Sequence, residues 1–75
     1  MKHQKKIMKE LNESESSFVC QRARNKSDII IKKRTLFQRD LELIRSIAEK
    51  YDLCWFISAE FISADNDGLK VTIHD

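Results

Sequence analysis

From Leu53 to Ile73 one set of apolar side chains falls on alternate positions: Leu53, Trp55, Ile57, Ala59 and Phe61, then Leu69, Val71 and Ile73. A period of two marks an extended strand with one buried face. Between the runs stands Asn66-Asp67-Gly68, which holds the only glycine of the chain. It suits a type I turn closed by a left-handed Gly. That turn predicts Phe61 opposite Ile73, Ser63 opposite Val71 and Glu60 opposite His74, so that the two apolar faces coincide. A hairpin of this kind has one wet face and one apolar face, and the apolar face requires a second layer.

The segment just before it supplies that layer. Thr35 followed by Gln38 predicts a capping box. Phe37, Leu41, Ile44, Ala48 and Tyr51 then make one helical stripe, widened by Leu36, Leu43 and Ile47. Arg45 and Glu49, four apart, are solvated helix charges. Asp40 is out of place, because it falls inside the apolar arc. It is expected at the helix edge or against a basic partner, such as an arginine of the first hairpin.

That first hairpin spans residues 18–24 and 28–34, with Asn25, Lys26 and Ser27 as its loop. Its predicted register sets Arg24 against Asp28, Arg22 against Ile30 and Cys20 against Lys32. Val19, Gln21, Ala23, Ile29 and Ile31 would then face the core. Phe18, Cys20, Arg22, Arg24, Ile30, Lys32 and Arg34 would share the other face. A slip of one residue would mix the two sets. Upstream, residues 2–12 read as a short helix with Ile7, Met8 and Leu11 on one side, too short to stand alone in water.

The expected fold class is α+β. A four-stranded, largely antiparallel sheet in the order β-β-α-β-β carries one long helix on one face, with a short N-terminal helix added. Residues 1–17 form that helix and a polar connector, and residues 18–75 form the single α+β domain. Seventy-five residues leave little room for both a core and a deep pocket. No apolar run is long enough to span a bilayer, and no apolar segment follows the basic N-terminus as a secretory signal would require. Cys20 and Cys54 are therefore read as reduced thiols of a cytoplasmic protein.

Charge is uneven. Residues 1–35 hold ten Lys/Arg against four Asp/Glu, and residues 36–75 hold four against eight. Such asymmetry suits a polyanion or a charged protein partner. The expected site is the sheet face away from the helix. Phe18 and Phe56 would stack bases of RNA or single-stranded DNA, while Arg22, Arg24, Lys32 and Arg34 neutralise phosphates. Ile30 and Ile62 add apolar islands. The same face could instead take a protein partner or a second copy of the chain. Against both stand two plainer readings: the N-terminal helix covers Phe18 and Phe56, or the basic residues merely protect a sheet edge.

No catalytic residue, metal ligand or cofactor is assigned, and the chain reads as a non-enzyme. Cys20, Cys54, His74 and His3 match no ligand spacing for structural zinc. Glu60 opposite His74 is an ordinary cross-strand pair, with no nucleophile or oxyanion loop near it.

Overall fold

The computed structural model describes residues 1–16, 18–61 and 67–75, and for Glu60, Phe61 and Asp67 the backbone only. Its elements follow the chain as α1 (Gln4–Asn12), β1 (Cys20–Arg22), β2 (Ile29–Lys33), α2 (Gln38–Lys50), β3 (Cys54–Phe61) and β4 (Asp67–His74). The protein is thus α+β, with two helices and one four-stranded antiparallel sheet. Strand order is β1-β2-β4-β3, and every neighbouring pair is antiparallel. It follows that β2 and β3 run parallel, two places apart, with α2 as their connection and β4 between them.

Both hairpin registers differ from the expected ones, with opposite consequences. In the second hairpin Trp55 faces Ile73, Ile57 faces Val71 and Ala59 faces Leu69. Phe61 therefore lies opposite Asp67, and Glu60 opposite Gly68 rather than His74. The shift is even, so every side chain keeps its expected face. Gly68 lies within β4 and has no left-handed φ. Its role is close approach: a Cβ there would meet the Lys33 carbonyl oxygen at 3.2 Å.

In the first hairpin the shift is odd. Cys20 faces Ile31, Gln21 faces Ile30 and Arg22 faces Ile29. Turn chemistry accounts for the slip. The Asn25 side-chain oxygen accepts from the Ser27 and Asp28 N–H groups at 2.9 and 3.1 Å, and Lys26, not Asn25, takes the left-handed conformation. The Ala23 N–H donates to the Asp28 carbonyl at 3.0 Å. Four residues thus make the loop, one more than expected. Burial favours the same outcome, since the larger Phe18 is buried while Val19 is 71% exposed.

Ile29, Ile31, Val71 and Ile73 occupy one sheet face, and their core is completed by Ile7 and Leu11 of α1, Ile44 and Ile47 of α2, and Phe18. Polar latches hold α1 in place. The Gln4 side-chain amide donates to the carbonyls of Lys26, Ser27 and Asp28 at 3.3, 3.0 and 3.2 Å. Asn12 accepts from the Cys20 N–H at 3.3 Å. Glu10 accepts from the Lys50 ammonium and the Tyr51 hydroxyl at 3.0 and 3.1 Å. The short helix is therefore tied to the hairpin at both ends and to the end of α2.

Asp40 fixes where α2 begins. The expected cap at Thr35 is replaced by one at Phe37, two residues on. The Phe37 N–H donates to Asp40 Oδ2 at 2.9 Å, and the Phe37 carbonyl accepts from the Asp40 N–H at 3.0 Å. A phenyl ring cannot accept a hydrogen bond, so the reciprocal half of the cap is made by backbone. Lys33, at the end of β2, also reaches Asp40 Oδ2 at 3.3 Å. The basic partner is thus a lysine of β2, not an arginine.

At its other end α2 closes in a Schellman arrangement. The Leu53 N–H donates to the Ala48 carbonyl at 2.8 Å and the Asp52 N–H to that of Glu49 at 3.3 Å. Asp52 takes φ 55°, where a Cβ is strained, and its carboxylate meets the negative end of the helix. Asp52→Gly should therefore raise unfolding stability by about 1 kcal/mol, read as a higher urea midpoint at unchanged slope.

Asp40 is fully buried. Burial opposes its charge, but the nearby Ser16 hydroxyl, the Phe37 N–H and Lys33 together outweigh that and lower its pKa. Ser16 favours the charged form without a well-aligned hydrogen bond, and Oδ1 has no such bond among the described residues. A carboxyl with a lowered folded pKa contributes stability that is complete above its unfolded pKa of roughly 3.9 and is lost as pH falls through the folded value. Asp40→Ala should cost about 3 kcal/mol at pH 7, since it strands Lys33 and uncaps α2. Asp40→Asn, which can still accept from Phe37, should cost less. Both should flatten the stability profile below about pH 4 in urea titrations.

Candidate functional site

Read across the strands, the sheet face opposite the core carries one row that crosses all four strands and one that crosses three. One runs Gln21, Ile30, Thr72, Phe56, and the next contains Lys32, Lys70 and Ser58. His74 and Cys54 pair at the end of the sheet, and the His74 ring lies 5.7 Å from that of Phe56. Thr72 is buried beneath its neighbours, whereas Phe56 is half exposed. Lys32 and Lys70 face each other, and both are otherwise engaged. The surface is therefore mixed rather than basic.

The expected site residues divide among several places. Ile30, Lys32 and Phe56 share this face. Phe18 does not; it is buried in the core, with the Lys33 ammonium 4.9 Å from its ring centre. Arg22 stands on the opposite face, in register with Ile29. Arg24 belongs to the hairpin loop, and Arg34 follows the end of β2. Ile62 lies outside the described residues. The odd register slip is the cause, because it turned Cys20 and Arg22 over and carried Phe18 inward. The N-terminal helix thus shares a core with Phe18 and leaves Phe56 exposed.

The positive charge gathers elsewhere. Gln4 ties the start of α1 to the hairpin loop and Asn12 ties its end to β1, so the helix lies along the first hairpin. Lys2, Lys5, Lys6 and Lys9 on the helix side, and Arg22, Arg24 and Lys26 on the hairpin, are all exposed. Glu10, the acid within α1, is held by Lys50. The expected site omitted the α1 lysines, although their i, i+4 spacing was visible in the sequence.

The far side of the sheet differs in kind. There β3 forms the edge, and beside it α2 leaves an open groove of about 340 Å³ lined by Gln38, Leu41, Glu42, Arg45 and Trp55. Ile57 is 41% exposed although it stands in register with the buried Val71.

Cys20 and Cys54 lie on β1 and β3, at opposite edges. Three strand spacings, about 14 Å, separate them, well beyond disulfide reach. No cluster of His, Cys, Asp and Glu suited to a metal ion occurs among the described residues. No helix among them is long and apolar enough to cross a membrane. Comparison with protein families, curated proteins and solved structures finds no match to this chain.

The two thiols should behave differently. Burial pushes Cys20 up to about 11, whereas Cys54 is exposed. At pH 8 the thiolate of Cys20 is therefore scarce, and alkylation needs the thiolate. Iodoacetamide should modify one thiol of the folded protein quickly, Cys54, and the second only in denaturant, as read by mass spectrometry.

Proposed function

We propose that this chain is a non-enzymatic binding module whose ligand is nucleic acid, held by its phosphate backbone along the α1 and β1 side. The observation that carries this reading is the presence of seven exposed cations, Lys2, Lys5, Lys6, Lys9, Arg22, Arg24 and Lys26, on the N-terminal segment and the first hairpin, which Gln4 and Asn12 join. Lys and Arg bind phosphates by releasing condensed counterions, a sequence-independent interaction. With Phe18 in the core, base stacking loses one of its two expected rings. Backbone contacts then dominate, and RNA and single-stranded DNA should bind with little base preference.

The reading takes the fold as two layers, with α2 and α1 on the Ile29, Ile31, Val71 and Ile73 face. The shared core and a least extent of 19 Å support that arrangement. A cytoplasmic location, where both thiols stay reduced, fits it.

Fluorescence anisotropy with labelled RNA and single-stranded DNA tests the proposal. Binding should weaken steeply with salt, and Arg22→Ala with Arg24→Ala should reduce the log–log salt slope by about 1.4, at roughly 0.7 for each phosphate no longer neutralised. Absence of binding at low salt, or an unchanged slope, would refute it. A second reading, a protein partner, is favoured by a different observation: the open β3 edge with Ile57 and the α2 groove beside it.

A further inference from the structure

We propose that two copies of the chain pair through their β3 edges, antiparallel across a two-fold axis, to form one continuous eight-stranded sheet. This rests on the protein-partner reading of the β3 side and names the partner.

The first argument is the asymmetry of the two sheet edges. An uncovered edge strand invites pairing with any other strand, so folded proteins shorten it or arm it with Lys, Pro or a bulge. At one edge β1 is three residues long and carries Arg22. At the other β3 runs for eight residues, Cys54-Trp-Phe-Ile-Ser-Ala-Glu-Phe61, without Lys, Arg, Pro or Gly. One edge is defended and the other is built to pair. Its flanks agree: Phe56 is 50% exposed on one face, Ile57 41% exposed on the other, and the α2 groove opens beside Trp55.

Charge selects the occupant. The basic side would repel its own image and attract acids. Among the residues lining the groove and making β3, α2 contributes one acid and one base, Glu42 and Arg45, and β3 only Glu60 near its end. A surface so nearly neutral has nothing to offer a strongly charged partner, but it meets its own image without repulsion. Under a two-fold axis normal to the sheet, the two α2 helices run antiparallel beside each other. Glu42 of each copy then lies toward Arg45 of the other. Arg45 reaches this pair by giving up a solvent-exposed bond to Glu49.

Symmetry also restricts the register, and coverage of the exposed apolar residues chooses within it. Such an axis keeps both helical layers on one side, so facing residues must come from the same sheet face. Centred on Phe56, the pairing sets Phe56 against Phe56 of the second copy, Trp55 against Ile57 twice, and Cys54 against Ser58 twice. Both exposed apolar residues of β3 are then covered by apolar partners.

Light scattering on the full chain, from about 1 μM to several hundred μM, should show a monomer giving way to a dimer, since an interface this small implies a weak constant. Ile57→Lys should weaken the dimer at least tenfold, with circular dichroism verifying the fold, while Val19→Lys at the other edge should not. Should Ile57→Lys fail to fold, the cysteine variant decides. In a Cys54→Ser background, Phe56→Cys should form an intermolecular disulfide on mild oxidation, and Ala59→Cys should not. A monomer at every concentration, or cross-linking at Ala59→Cys rather than Phe56→Cys, overturns the proposal. A monomer that binds a different protein in an Ile57-dependent way overturns self-pairing but keeps the partner reading. Loss of RNA binding in a dimer that persists with Arg22→Ala and Arg24→Ala touches only the nucleic-acid reading.

Discussion

One buried carboxylate ties the fold together. Asp40 caps the first turn of α2 through the Phe37 N–H and holds the Lys33 ammonium at the end of β2. Lys33 in turn donates to the Ser16 carbonyl at 3.4 Å and lies over the Phe18 ring. A single charge therefore links the connector before β1, the end of β2 and the start of α2. A buried ion pair is rarely a net source of stability, because desolvation offsets much of the attraction. Its effect is directional: the cap, the ammonium and the ring meet at one point, which joins the end of β2 to the start of α2.

The same clasp explains what was legible in the sequence and what was not. Asp40 stood out at once as an acid within an apolar stripe, expected either at the helix edge or against a basic partner. Which cation depended on the hairpin register. Period-two patterning reports faces modulo two, so the six-residue shift of the second hairpin left Trp55, Ile57, Val71 and Ile73 where the pattern put them. A one-residue shift in the first hairpin, caused by the Asn25 side chain and a left-handed Lys26, turned Arg22 over and sent Phe18 inward. Val19-Cys20-Gln21-Arg22-Ala23 mixes apolar and polar residues on both parities, so its pattern was too weak to correct the turn. The candidate site rested on that parity and was divided with it.

Charge separation, by contrast, outlived the register. The sequence excess of Lys and Arg before residue 36 becomes a spatial one, because α1 is bound along the first hairpin rather than across the open face. One side of the sheet is thereby strongly basic, and the other, β3 with the flank of α2, nearly neutral. A ligand read by charge and a partner read by strand pairing would not compete for the same residues.

Both exposed features of the neutral side come from one topological choice. The chain leaves β2, crosses through α2 and descends in β3, but the central place beside β2 is taken by β4. Val71, Thr72 and Ile73 are buried there, as a strand with neighbours on both sides requires. The strand that precedes it is displaced to the rim. α2 buries Ile44 and Ile47 in the core shared with β2 and β4 and also packs beside β3, where the open groove lined by Leu41 and Trp55 remains. A helix shifted outward to close that gap would uncover Ile31 and Val71, with the loss of roughly 1.5–3 kcal/mol for each side chain returned to water. The open edge is therefore the cost of a full centre: β4 takes the place between β2 and β3, and β3 is left with one side unpaired within the sheet.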